Sequence, residues 1–237
     1  MKIILHTIAA FFLAAQLLPA QVYKQGIVGY VPQPFYVGNN LIVNPLDEPT
    51  NNVLSGIFWG NAIPDGTTVS LWDSASSSYG TPSVYNAGAW SMDLAWQAGV
   101  GACINTPTAF TNTFTGVVRN HDGSEYYGTV MLPPPVFAGP AGVYLLGDAA
   151  PVVNTGTDVF LNLLGRLPNV GEQVTLLNAA TQTYTTSTYL GANTWDSLPT
   201  LQVAQAGFFN INAVPEPNSV VLGLMGLALI RLTGRRR

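Results

Sequence analysis

Short runs in which apolar and polar residues alternate recur through the middle of the chain, the period of a half-buried strand. In Thr68–Trp72, Val69 and Leu71 flank Ser70, and in Gln173–Leu177, Val174 and Leu176 flank Thr175. Turn signals precede both runs, Pro64-Asp65-Gly66 and Asn169-Val170-Gly171, and polar stretches follow, Asp73–Ser78 and Asn178–Thr183, leading to Tyr79 and Tyr184. That pattern predicts a hairpin at each place. Further strands are predicted at Gly26–Val31, Leu41–Asn44, Leu54–Trp59, Thr113–Val118, Tyr126–Leu132, Val143–Leu146, Val159–Leu164 and Gly207–Asn212. No window of the body has the periodicity of an amphipathic helix of three turns, and Pro133-Pro134-Pro135 marks an extended connection. The fold class expected is all-β, sandwich or barrel-like.

The two hairpin regions are related. Sliding the chain by 105 positions aligns residues 60–91 with 165–196 without a gap and gives nine identical pairs. Gly66/Gly171, Val69/Val174, Leu71/Leu176, Tyr79/Tyr184 and Trp90/Trp195 are among them. Shared composition accounts for about two or three, so the excess points to an internal repeat. Gly101–Asn105 reads in parallel with Gly207–Ile211. Two tandem related β-rich units are therefore expected, at 21–118 and 119–213.

Composition narrows the setting. Only 8% of the 237 residues are charged, and Gly (24) and Pro (17) are abundant, a turn-rich extracellular profile rather than that of a cytosolic enzyme. The body keeps three cations, Lys24, Arg119 and Arg166, against eleven acids once Glu216 is set aside. Phosphate binding needs clustered Lys and Arg, so a nucleic-acid partner is excluded. The single cysteine, Cys103, forbids an intramolecular disulfide and is expected to pack as a small hydrophobe.

Both ends carry targeting signals. Residues 1–20 place Lys2 before an apolar stretch and end on Pro19-Ala20, the layout of a signal peptide, here a signal helix cut between Ala20 and Gln21. At the other end, 214–237 contain Val214-Pro215-Glu216-Pro217, an apolar helix candidate from Ser219 to Ile230, then Arg231, Arg235, Arg236 and Arg237. Twelve apolar residues are marginal for crossing a bilayer, but Arg231 can snorkel, and the terminal arginines would hold the C-terminus on the cytoplasmic side. Proline on both sides keeps Glu216 extended and out of any helix. This order of parts resembles a PEP-CTERM sorting domain. The resemblance implies an exosortase as processing partner, a cut near Pro215-Glu216-Pro217, transient anchoring in the membrane and a link to exopolysaccharide and the cell surface.

Catalytic side chains are sparse. His121, the body's one histidine, lies in Asn120-His121-Asp122-Gly123-Ser124-Glu125, and the Asp-Gly pair reads as the tip of an exposed loop. A hydrolase would use His121 as base with Asp122 or Glu125 orienting it. No zinc or EF-hand spacing, phosphate-binding glycine loop or Gly-x-Ser-x-Gly elbow occurs, so no catalytic residue, metal or cofactor is assigned. The five tryptophans raise a carbohydrate-binding module as an alternative. Under the 105-residue shift, however, Trp59, Trp72 and Trp96 become Leu164, Leu177 and Leu201. Leucine replaces tryptophan at a packing position and loses the stacking face of a sugar platform. The sequence thus predicts an exported, non-enzymatic surface or matrix protein, with a secreted hydrolase the least favoured alternative.

Overall fold

The computed structural model describes residues 26–47, 52–58, 62–121, 124, 126 and 139–212. The expected signal helix, the C-terminal apolar helix, Trp59 and the strand from residue 127 onward lie outside the described residues. The protein is mostly β-sheet, and no barrel closes.

One sheet contains β2 (Gly38–Val43), β7 (Gly101–Thr106), β3 (Thr68–Asp73), β5 (Ser83–Asn86) and β6 (Ala89–Trp90) in that spatial order, with β4 (Ser78–Tyr79) returning on β3. A second contains β9 (Gly142–Leu146), β15 (Gly207–Ile211), β11 (Gln173–Asn178), β12 (Thr183–Gly191) and β13 (Thr194–Trp195), again in that order. Two of the matching strand pairs lie 105 residues apart: β3 and β11 coincide end for end at this shift, as do β6 and β13. β10 (Asn154–Thr155) pairs with β14 (Thr200–Leu201).

The ladders correct the sequence alignment in two places. Cys103 pairs with Ser70 and Phe208 with Thr175, so 103 matches 208 and the shift stays at 105. Matching Gly101 with Gly207 is one residue out of step, which in a strand turns every side chain to the wrong face. The hairpin return instead matches at 104, because Val69 pairs with Ser83 and Val174 with Ser187. A bulge between Tyr189 and Gly191 restores the original shift. It brings Tyr85 and Tyr189 into equivalence, each edge-on to its tryptophan: Tyr85–Trp90 centroids are 5.1 Å apart at 63°, Tyr189–Trp195 5.2 Å at 62°.

Two predicted strands are helices. Leu54–Ile57 forms α1 and Asp158–Leu164 forms α2. Short apolar runs do not distinguish strand from helix by period. In α2 the buried Val159, Phe160 and Leu164 share one face, Asp158 meets the positive end of the helix, and Gly165 ends it at φ 64°. Each helix covers its own sheet. Phe58, Trp96, Ile104 and Phe114 fill the first core; Phe160, Val174, Trp195 and Phe209 fill the second. The two-stranded pair β1 (Val28–Phe35) and β8 (Phe110–Val117) closes the first core, with Phe35 stacked on Phe110 at 4.7 Å. Among the described residues β1 pairs only with β8, and Pro32 and Pro34 remove donors from its other edge.

The opposite faces of the two sheets meet. Leu41 and Val43 from the first, with Leu145, Leu177 and Ala206 from the second, make a shared core that Trp72 and Phe208 border. Main chain crosses the junction: Val43 N donates to Ala204 O and Ala206 N to Leu41 O, both at 2.9 Å. Trp72 Nε1 donates to Val143 O at 3.0 Å. Backbones approach this closely because two junction residues lack a side chain. A Cβ on Gly101 would lie 2.4 Å from Leu145 O, and one on Gly147 would lie 2.4 Å from Val43 Cγ1 and 2.6 Å from Gln205 O. Gly147→Ala is therefore expected to cost at least about 1–3 kcal/mol by overpacking, read as a lower urea midpoint. Gly80→Ala, whose Cβ would meet only Leu71 O at 3.6 Å, should stay within about 0.5 kcal/mol of the parent.

Candidate functional site

Four described tryptophans settle into packing roles. Trp96 is fully buried, Trp90 and Trp195 sit in the aromatic clusters of their cores, and Trp72 seals the junction. Trp72 and Leu177 both border the shared core, and Trp96 and Leu201 fill the first and second cores respectively. The exchange of tryptophan for leucine is a packing exchange.

His121 is not at an exposed loop tip. Its side chain is 8% exposed, and Nδ1 lies 2.9 Å from Asp148 Oδ1. The carboxylate also accepts from Ala150 N at 2.8 Å and Asn154 Nδ2 at 2.7 Å, and Asn162 Nδ2 donates to Asn154 Oδ1 at 2.5 Å. Asp148 lies two residues beyond the end of β9 and 27 residues beyond the histidine, so no local pattern could pair them. The counterpart in the first half is Asn44, whose Oδ1 accepts from Leu46 N and whose Nδ2 donates to Asn52. Asp47 there is the partner of Arg119. Residues 119 and 121 of the connection thus tie one half and then the other. The cleft beside His121, about 310 Å³, is lined by Ala98, Gly99, Val100, residues 146–149, Asn162 and Leu163 among the described residues. Among its lining residues there is no hydroxyl or thiol to serve as nucleophile. The histidine holds structure together in this geometry. Among the described residues no three His, Cys, Asp or Glu side chains converge on a metal-sized site.

Cys103 is half-buried between the sheets, 3.8 Å from Asn39 Oδ1. Burial raises its thiol above the usual range, partly offset by the Tyr79 hydroxyl, so it stays protonated at neutral pH.

The predicted sorting residues Pro215, Glu216 and Pro217, the basic cluster Arg231, Arg235, Arg236 and Arg237, and the signal cleavage pair Ala20 and Gln21 all lie outside the described residues. The point from which the tail departs is described. Glu172 is fully buried and Arg166 grips it with two hydrogen bonds of 2.8 and 2.7 Å. The same carboxylate accepts from Asn169 N at 2.7 Å and from Asn212 N at 3.0 Å. The last described residue is thereby pinned to the turn before β11.

The architecture defines a class: a mostly-β protein of two similarly ordered open sheets joined face to face. Over residues 213–237 the chain matches the family model of the PEP-CTERM protein-sorting motif. It carries that motif, which marks an exported chain whose processing is linked to a membrane. No curated protein and no solved structure matches the chain. Among the described residues no helix is long and apolar enough to cross a membrane.

Burial alone would raise the Glu172 carboxyl. Arg166 and the N–H groups of Asn169 and Asn212 outweigh burial and hold it below the usual glutamate range. Its contribution to stability is therefore complete above the ordinary value, about 4.3, and is lost as pH falls through the lower folded value. Glu172→Gln leaves the partly exposed Arg166 without its counter-charge, so a loss of about 2–3 kcal/mol is expected at pH 7. Urea midpoints measured from pH 7 to 3 should show the variant's deficit shrinking only below the ordinary glutamate value.

Proposed function

We propose that this is an exported, non-enzymatic protein of the cell surface or extracellular matrix, associated with exopolysaccharide, and that an exosortase-like enzyme processes its tail. The observation that carries the reading is the sorting motif at residues 213–237. In this account residues 1–20 direct export and are cut between Ala20 and Gln21. The helix from Ser219 to Ile230, stopped by Arg231, Arg235, Arg236 and Arg237, tethers the body until cleavage near Pro215-Glu216-Pro217. The body comprises two units, 21–118 and 119–213, copies of one ancestral unit.

Three features support it. Asn212 is pinned by Glu172, and Pro215 follows only three residues later. At about 3.5 Å per extended residue the motif starts within about 10 Å of the folded body, so the body sits near the membrane while tethered. Both described cations, Arg119 and Arg166, are committed to ion pairs with Asp47 and Glu172, so the described surface offers a polyanion little positive charge. The repeated strand order and the matched Tyr–Trp pairs support common descent of the units.

The test is the mass of the mature C-terminus, measured on the tagged chain from cells with and without the processing enzyme. Loss of the residues after the Pro-Glu-Pro motif only in its presence is expected, and Pro215→Ala with Pro217→Ala should retain the tail. Arg237 recovered intact in both strains would overturn the reading.

A further inference from the structure

We propose that the body binds a neutral saccharide in the cleft between the β1–β2 turn and the facing 176–180 and 200–205 segments. The cleft encloses about 560 Å³, inside the range of about 300–1,000 Å³ typical of small-molecule sites. Its lining mixes polar and apolar residues, and among the described ones none is charged. Tyr36 stands in its wall with 43% of its surface exposed.

The platform is rigid. Asn40, fully buried, accepts from Tyr36 N at 2.9 Å and donates to Tyr36 O at 2.8 Å, so the backbone under the ring is clamped. Across the cleft, Gln205 is occupied structurally, donating to Leu177 O at 3.2 Å and accepting from Gln202 N at 3.0 Å. The carboxamide of Gln202 and the hydroxyls of Thr185 and Thr200 make no hydrogen bond among the described residues. They remain open to a ligand.

Those groups fit a polyol. Each sugar hydroxyl both donates and accepts, and so does each amide or threonine hydroxyl. An aromatic ring covers the apolar C–H face of a sugar. A phosphate or carboxylate ligand would call for a cation or a bidentate arginine, and this cleft offers neither. Without a charged wall at neutral pH, binding should vary little with salt or across about pH 5–8. The assignment rests on the body working outside the cell, yet its test does not depend on tail processing.

Isothermal titration of the purified full-length chain would use neutral tetrasaccharides of β-1,4-glucan, α-1,4-glucan and β-1,4-mannan, with tetragalacturonate as the charged control. At least one neutral tetrasaccharide should bind with a Kd of about 1 mM or tighter. Tyr36→Ala should weaken it by about tenfold or more and Gln202→Ala by a few fold, both with parental melting temperatures. No heat from any neutral sugar up to about 10 mM, binding of the charged control alone, or binding unchanged in both variants would overturn the proposal. Any of these outcomes leaves the tail-processing reading to stand or fall on its own mass measurement.

Discussion

Each half of this protein has a sheet whose two faces are both apolar, and one helix can cover only one of them. The uncovered faces therefore bury each other. Leu41 and Val43 on one side pack with Leu145, Leu177 and Ala206 on the other, and the hydrophobic gain scales with the area they remove from water. The glycines at 101 and 147 let the backbones come close enough for Val43 and Ala206 to find main-chain acceptors across the junction. Where residue 147 touches Val43, packing is already at its limit, and dense interiors do not yield by small increments.

Charge is used sparingly and inwardly. Arg119 and His121 lie two residues apart at the start of the connection and engage Asp47 of the first half and Asp148 of the second, so that start is fastened to both halves. Arg166 neutralises the buried Glu172, which in turn holds Asn212. One carboxylate thus joins a turn, an arginine and the exit of the sorting tail. The acids on the described surface, Asp65, Asp73, Asp93 and Asp196, engage nearby backbone N–H groups.

Much of the sheet was legible because strands announce themselves by period and by turn residues. Val69, Leu71, Val174 and Leu176 face inward as their alternation predicts, and Gly66 and Gly171 take φ of 85° and 87° in the turns that precede them. The sequence match at a shift of 105 was legible because β3 and β11, and β6 and β13, keep that spacing. It failed where a bulge near Gly191 shifts register, hiding the match of Tyr85 with Tyr189. The helices were hidden because a run as short as Val159–Leu164 has no room for a period to assert itself. The partner of His121 and the walls of the cleft below Tyr36 were illegible for one reason: both are assembled from segments far apart in sequence. The tail, by contrast, is linear information and needs no fold to be read.

The account holds that the two sheets share a core and so form one cooperative body. Scanning calorimetry of the full-length chain tests this most directly. A single endotherm is predicted, with the van't Hoff enthalpy equal to the calorimetric enthalpy. Two resolved transitions, or a van't Hoff enthalpy near half the calorimetric one, would mean that the halves melt independently and that the junction through Gly147 does not govern the fold.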